Sequence, residues 1–258
     1  MKLAVFSDVH ANSDALKKVF EDAEKEGCER FVCLGDIVGY GCDPAGCVDL
    51  CRGEKGVECV LGNHDAGVIG DLSLSWFSPV AMDGVVRHRG ELDDDRKSWL
   101  RTLKHIKSDE FGGKKCFFSH GTYYHPESFG YINTTCEAKI EQDMMKAGGC
   151  DILFVGHTHY AEAFVLDKRG EFDRVETIED GNGISINLGE YDRPILNVGS
   201  VGWPRNQWST IYVVFDTDKM EVKYRVLPFD FAKAARVRME NGIAVPAWMD
   251  RARAVLGM

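Results

Sequence analysis

Residues 2–36 read KLAVFSDVHANSDALKKVFEDAEKEGCERFVCLGD. Two short apolar runs, residues 2–6 and 30–34, flank a segment in which Ala15, Leu16, Val19, Phe20 and Ala23 recur at helical spacing. Asn12 or Ser13 can cap the start of that helix and Gly27 can stop it. Strand, helix and strand in this order favour a parallel pair joined by a right-handed crossover. Both strands run into polar residues, Asp8-Val9-His10 after the first and Gly35-Asp36 after the second. The carboxyl ends of parallel strands are where α/β sheets display their active sites.

Moving outward, the same arrangement recurs. A third strand over Val57–Leu61 runs into Gly62-Asn63-His64-Asp65. Strands at Cys116–Ser119 and Ile152–Val155 run into Ser119-His120-Gly121 and Gly156-His157-Thr158-His159, with a helix near Thr135–Ala147 between them. A further helix starts near Asp43-Pro44, because proline suits a first turn. Residues 66–110 lack strand character; helices from Ser78-Pro79 onward and over Asp93–His105 would form a cap or flank over the sheet. After residue 160 the texture changes to short apolar runs: Ala161–Leu166, Phe172–Ile178, Ile184–Leu188, Ile195–Val198, Ile211–Phe215 and Val222–Val226. A tight turn at Gly181-Asn182-Gly183 fits between two of them. This half predicts a mostly antiparallel second sheet against the first, closed by helices over Phe231–Met239 and Pro246–Val255. The expected organisation is a single layered domain over 1–258.

With 258 residues the chain can bury one sizeable core. Its net charge of −10 argues against a nucleic-acid-binding surface, which needs clustered Lys and Arg. Phosphorylated small molecules or proteins stay open as substrates, because bound cations reverse the local sign. No apolar run approaches the roughly 20 residues that span a bilayer. Met1–Phe6 meets Asp8 too early for a signal peptide and reads as a core strand. Nine cysteines, an odd count without paired C-x-x-C motifs, point to a reducing cytoplasm, with Cys33, Cys59 and Cys116 as small buried hydrophobes. Cys42, Cys47 and Cys51 are closely spaced, without metal-site spacing.

Carboxylate, amide and imidazole bind divalent metals of intermediate hardness. A carboxylate can bridge two cations, and a pair of ions about 3.5–4 Å apart can hold a hydroxide between them and clamp phosphoryl oxygens. In order and spacing, the five motifs resemble the calcineurin-like metallophosphoesterase superfamily, with its D-x-H, G-D, G-N-H-[DE], H-G and G-H-T-H. The likeness extends to Asn197-Val198-Gly199-Ser200-Val201-Gly202, similar to the late N-x-G-S-x-G of bacterial members. The resemblance implies an α/β fold, a four-layer α-β-β-α sandwich of two mixed sheets flanked by helices. It implies one metal on Asp8, His10, Asp36 and His159, and another on Asp36, Asn63, His120 and His157, with Asp36 bridging. Mn is the first expectation for the two divalent ions, with Fe, Co, Ni or Zn also fitting such ligands. His64 would face the substrate and assist the leaving group, and Asp65 would orient His64. The reaction implied is hydrolysis of a phosphate mono- or diester by a metal-bridging hydroxide.

The branch is narrowed by two departures. Phosphoprotein phosphatases carry G-D-x-V-D-R-G, whose arginine grips phosphate; here Tyr40 stands in its place within Gly35-Asp36-Ile37-Val38-Gly39-Tyr40-Gly41. Asp65 replaces a glutamate. The chain resembles instead the small bacterial and archaeal, DevT-like phosphoesterases. A phosphoprotein phosphatase and a non-catalytic scaffold of the same fold are the alternatives. Tyr40, His125 and Arg205 are candidates for substrate contact, Arg205 because guanidinium binds phosphate bidentately. His88 and His105 sit in charged helical segments and read as surface or satisfied core residues. Asp93-Asp94-Asp95 reads as a helix start, and Trp76 and Phe77 as core of the cap.

Overall fold

The computed structural model describes residues 1–258 except 54, 168, 177, 180, 181, 206–208 and 247–258. The chain opens β1 (Lys2–Phe6), α1 (Ser13–Lys25), β2 (Arg30–Cys33), α2 (Pro44–Arg52), β3 (Glu58–Cys59), α3 (Asn63–Ile69), α4 (Pro79–Glu91) and α5 (Asp94–Leu100). It continues through β4 (Ile106–Phe111), β5 (Lys114–Ser119), α6 (Thr135–Gly148), β6 (Ile152–Val155), β7 (Ala161–Asp167) and β8 (Phe172–Glu176). A small pair, β9 (Ile178–Glu179) and β10 (Asn182–Gly183), precedes β11 (Ser185–Asn187), β12 (Tyr191–Val198), β13 (Ser209–Asp216), β14 (Glu221–Pro228) and α7 (Phe231–Glu240).

Two six-stranded mixed sheets form, in the orders β11-β14-β13-β1-β2-β3 and β4-β5-β6-β12-β7-β8. Each has a parallel part, β1-β2-β3 or β5-β6-β12, extended by antiparallel strands. Alternation along β1 shows why the sheets stack in four layers. Leu3 and Val5 enter the core between the sheets with Phe118, Phe154 and Leu196, while Ala4 and Phe6 turn outward to the helices. Phe20 of α1 lies 5.9 Å from the Phe6 ring and 5.3 Å from that of Phe31. Truncating Phe6, which is fully buried, to alanine would cost about 3–5 kcal/mol. On the far side α6 covers Leu153, Val155, Phe164 and Ile195 with Ala138 and Met145.

The local signals act as read. Asn12 Oδ1 accepts the Ala15 amide at 3.1 Å, and Gly27 beyond α1 adopts φ +79°. Asp43 caps α2 with Pro44 in its first turn, and Asp93 caps α5 by accepting the Arg96 amide at 2.9 Å.

Two expectations change. Residues 106–111 form a strand, β4, at the edge of the second sheet. Its Lys107 and Asp109 pair with Glu58 of β3 and Arg30 of β2 at 3.0 and 2.8 Å, and this run of charge hides its strand character in the sequence. Second, the strands after residue 160 do not build a sheet of their own. β11, β13 and β14 complete the first sheet, and β7, β8 and β12 complete the second. A helix that the sequence reading did not mark, α3, begins directly at Asn63, inside a metal motif. The expected helix after Pro246 and Gly181 of the expected turn lie outside the described residues. Among the described residues no helix is long and apolar enough to cross a membrane.

Candidate metal centre

β1, β2 and β3 from one sheet and β5 and β6 from the other deliver their motif loops to one end of the sandwich. The loops are tied together by backbone hydrogen bonds: Asp8 to the Gly35 carbonyl at 3.1 Å, His10 to Asp36 at 2.9 Å, Gly156 to His120 at 2.9 Å and Gly202 to Asp8 at 2.9 Å. Asp8, His10, Asp36, Tyr40, His157 and His159 all have φ between +47° and +67°. Such left-handed conformations cost on the order of 1–3 kcal/mol each and persist only where the surroundings impose them. Here the interlocked loops impose them.

The carboxylates are oriented by backbone amides. Asp36 Oδ1 accepts from His64 N at 2.8 Å and Asp8 Oδ2 from His157 N at 2.9 Å, which leaves Asp36 Oδ2 and Asp8 Oδ1 facing inward. Backbone carbonyls orient the imidazoles. Nδ1 of His10, His120 and His159 lies 3.1, 2.8 and 2.7 Å from the carbonyls of Val38, Leu34 and Trp203. A carbonyl only accepts, so each of these Nδ1 atoms carries the proton and each Nε2 presents a lone pair. His157 is reversed: its Nε2 sits 3.0 Å from the Phe129 carbonyl, so Nδ1 is its free atom.

The inward atoms then oppose acceptor to acceptor. His10 Nε2 lies 3.1 Å from His159 Nε2, and His120 Nε2 lies 3.1 Å from Asn63 Oδ1. Asp8 Oδ1 is 3.2 Å from His159 Nε2 and 3.6 Å from His10 Nε2, and it is a buried oxygen without a hydrogen-bond partner. Asp36 Oδ2 is 3.6 Å from His10 Nε2 and 3.4 Å from His120 Nε2. Buried lone pairs in mutual contact need a cation or a proton between them. This donor set fits divalent metal, with imidazole, carboxylate and amide oxygen in suitable softness. Two groups of ligand atoms lie within 4.8 Å of one another, Asp8–His10–His159 and Asp36–His120–His157. A third, His10–Asp36–His64, overlaps both, with His64 Nε2 at the longer distance of 4.0 Å from Asp36 Oδ2.

Burial and neighbouring charge compete within the cluster. Burial opposes charge on Asp8 and Asp36, yet His159 beside Asp8 and His120 beside Asp36 hold both carboxyls below the usual range. Burial likewise opposes charge on His120, but Asp36 holds it up at about 9. Burial drives His157 and His159 down.

A family profile described as the calcineurin-like phosphoesterase superfamily domain matches residues 1–220. The chain belongs to the calcineurin-like phosphoesterase superfamily. It is 32% identical over 248 residues to an uncharacterized protein of Methanocaldococcus jannaschii, covering 96% of this chain and 95% of that one. The crystal structure of a metallophosphoesterase from Sphaerobacter thermophilus superposes with a TM-score of 0.80, at 30% identity and 98% coverage of both chains. A hypothetical protein of Pyrococcus horikoshii shares the fold, with a TM-score of 0.71 at 17% identity over 96% of this chain and 95% of that one. Members of this superfamily generally bind divalent metals, as the clustered Asp and His groups suit.

Within this phosphoesterase fold the other candidate residues divide. His64 is buried, its ring 4.6 Å from Tyr40 and 5.2 Å from Phe77. No hydrogen bond joins Asp65 to the His64 ring. Asp65 Oδ1 accepts the Val38 amide at 3.1 Å and its Oδ2 the Gly62 amide at 3.0 Å, so it ties two motif loops together. Burial, with the Asp36 charge, pushes the Asp65 carboxyl up to about 7. His64 Nδ1 is left without a hydrogen-bond partner, packed on Gly39, where a Cβ would stand 2.1 Å from it. Tyr40 stacks on Trp203 at 4.5 Å, and the Arg205 charge acts on its hydroxyl. His125 is largely exposed and pairs with Glu127 at 3.0 Å. Arg193, further along the chain, pairs with Asp192.

Sequence reasoning passed over Arg87, Arg238 and Tyr131, and the support that His88 gives. His88 is fully buried, with Nδ1 accepting the Gly39 amide at 2.9 Å and Nε2 donating to the Gly41 carbonyl at 3.1 Å. It is a satisfied core histidine, as read, but it supports the Gly39-Tyr40-Gly41 loop. Arg87 and Arg238 donate to the Tyr40 carbonyl of the same loop. Tyr131 stacks on His157 with ring centroids 3.8 Å apart. Trp76, expected in the core of the cap, is 39% exposed and lies 6.0 Å from His157, whereas Phe77 does pack inward on His64. An exposed aromatic beside a motif histidine carries no sequence signal of its own.

Proposed function

We propose that this chain is a metal-dependent phosphoesterase that hydrolyses phosphate mono- or diesters at the Asp36-centred cluster. The observation that carries the reading is the opposition of bare imidazole nitrogens, His10 Nε2 against His159 Nε2, in a fully buried and pre-oriented cluster. Asp8, His10, Asp36 and His159 would hold one cation, and Asp36, Asn63, His120 and His157 the other. When bound, such ions supply Lewis acidity toward phosphoryl oxygen and a water activated near neutral pH.

The chain's own residues do the rest. Backbone carbonyls at Val38, Leu34, Trp203 and Phe129 hold the imidazole rings in orientation in advance of binding. His64, held by Gly39, Tyr40 and Phe77, directs Nε2 over Asp36 and donates to the leaving oxygen. Arg205 and the hydroxyl of Tyr40 bind the phosphoryl oxygens, and Tyr131 closes over His157 to exclude water. Every ligand side chain lies below the surface, which favours small substrates over a phosphoprotein. Retention of the whole ligand set favours an enzyme over a scaffold. Mn is the metal to supply first. The test is turnover of chromogenic phosphate esters by the chain loaded with each metal in turn, against the chelated protein.

A further inference from the structure

The structure carries a second cluster of soft side chains, distinct from the carboxylate–imidazole site. Cys33 of β2, Cys51 of α2 and Cys59 of β3 place their sulfur atoms within 4.8 Å of one another. Cys33 and Cys59 are direct partners in the parallel β2–β3 register, so both thiols leave the same face of the sheet. Cys51 meets them from the helix above. All three are buried in the core between that sheet and its helices, and all are free thiols.

We propose that Cys33, Cys51 and Cys59 form a site for a trivalent thiophilic centre, with arsenous acid as the ligand that fits. Bonds to sulfur of about 2.3 Å place three sulfurs around one centre at about 4 Å or less from one another. The observed spacing needs only small side-chain rotations to reach that.

Charge selects the valence. The three thiols are held well above the ordinary cysteine range: Cys33 first by burial, Cys51 first by its hydrogen bond with Cys33. Cys59, against the pull of its own bond with Cys33, is held up by Cys51 and by burial. A divalent ion on three thiolates would leave a net negative charge in an apolar core, near the Asp65 carboxyl, and burying such a charge costs several kcal/mol. Zinc would also lack a fourth ligand. Arsenous acid avoids both problems. Three S–H and three As–O bonds break, three As–S and three O–H bonds form, and three waters leave. Arsenic stays trivalent, and both reactants and product are uncharged. Entry is by local opening at β3, a two-residue strand at the sheet edge.

This site is independent of the phosphoesterase reading. The experiment exposes the full chain to arsenite and records its native mass. The expected adduct is one arsenic less three hydrogens, with three sulfur neighbours by arsenic X-ray absorption. Cys51→Val, which keeps the core apolar, should lose the adduct, and Cys136→Ala, at an exposed thiol, should keep it. Should Cys51→Val fold poorly, the wild-type absorption spectrum and arsenic-dependent protection of Cys33, Cys51 and Cys59 from alkylation decide the matter alone. No adduct, an adduct with two sulfurs, or one that disappears with Cys136 overturns the proposal. Stoichiometric zinc held by the same three cysteines would overturn it too, since the charge argument forbids that.

Discussion

His10 and His159 face each other with their Nε2 atoms 3.1 Å apart, while each gives its Nδ1 proton to a backbone carbonyl. Neither ring can relieve the contact by switching tautomer without abandoning that carbonyl. The pair is therefore built to share something positive, and Asp8 Oδ1, 3.2 Å from His159, points at the same place. Residues from the first loop and the sixth strand's loop meet there, across 149 positions of sequence.

Two substitutions should separate metal binding from proton donation. Asp36→Asn keeps an oxygen for the His64 amide but removes the charge shared among His10, His120 and His64. Bound metal, by elemental analysis, should fall below two equivalents, and kcat/KM on the order of 100-fold or more. His64→Ala should keep both equivalents and lower kcat by about 100- to 10,000-fold. Equal metal loss in both variants would place His64 among the ligands.

Gly39 governs the His64 ring. It adopts φ +91°, and a Cβ there would stand 2.1 Å from His64 Nδ1. Gly39→Ala should therefore lower kcat with metal content intact, and destabilise the fold by about 1 kcal/mol or more. An active Gly39→Ala enzyme would show that the His64 position is not critical.

The pH dependence of stability should report His88. Burial, with Arg87 nearby, drives its pKa from 6.5 down to about 3. The contribution is whole above about 6.5. Below that, the unfolded chain takes up a proton that the folded chain refuses, so stability falls as pH drops toward about 3, by up to about 1.4 kcal/mol per pH unit. His88→Gln cannot titrate and should flatten this part of the acid limb in denaturation midpoints measured from pH 8 to 4. An unchanged slope would contradict the assignment.

Arg205 should act on binding. Its charge reaches Tyr40, Tyr131 and His159. Arg205→Ala should raise KM about 10-fold or more, the loss of a charge-assisted contact worth roughly 1.5–3 kcal/mol, and Arg205→Lys should recover only part because it lacks the planar fork. An unchanged KM would remove Arg205 from the substrate's path.

Much of this was legible in the chain. The alternation of Leu3, Ala4, Val5 and Phe6 between two buried faces already marks a central strand, and Asn12 and Asp43 announce their helices. The motif residues are legible because strand ends impose their location. Pairing partners are not. Nothing in Ile211–Phe215 records that it lies against β1, because register between distant strands is settled by tertiary packing. The edge strand β4 reads as a flank because Lys107, Asp109 and Glu110 break its apolar pattern, while pairing with Glu58 and Arg30 shows only in the fold. Asp65 follows His64 in sequence, yet α3 starts there and turns its carboxylate back on Gly62 and Val38. Helical geometry at a motif's end decided that, and neighbouring positions in sequence could not show it.

The most direct test is hydrolysis of p-nitrophenyl phosphate and bis-p-nitrophenyl phosphate by the Mn-loaded chain, before chelation, after it and after restoring metal. The account predicts turnover of at least one ester that disappears on chelation and returns with metal, at a content of two ions per chain. Protein carrying two ions yet inert toward both ester classes, or turnover indifferent to chelation, would contradict it.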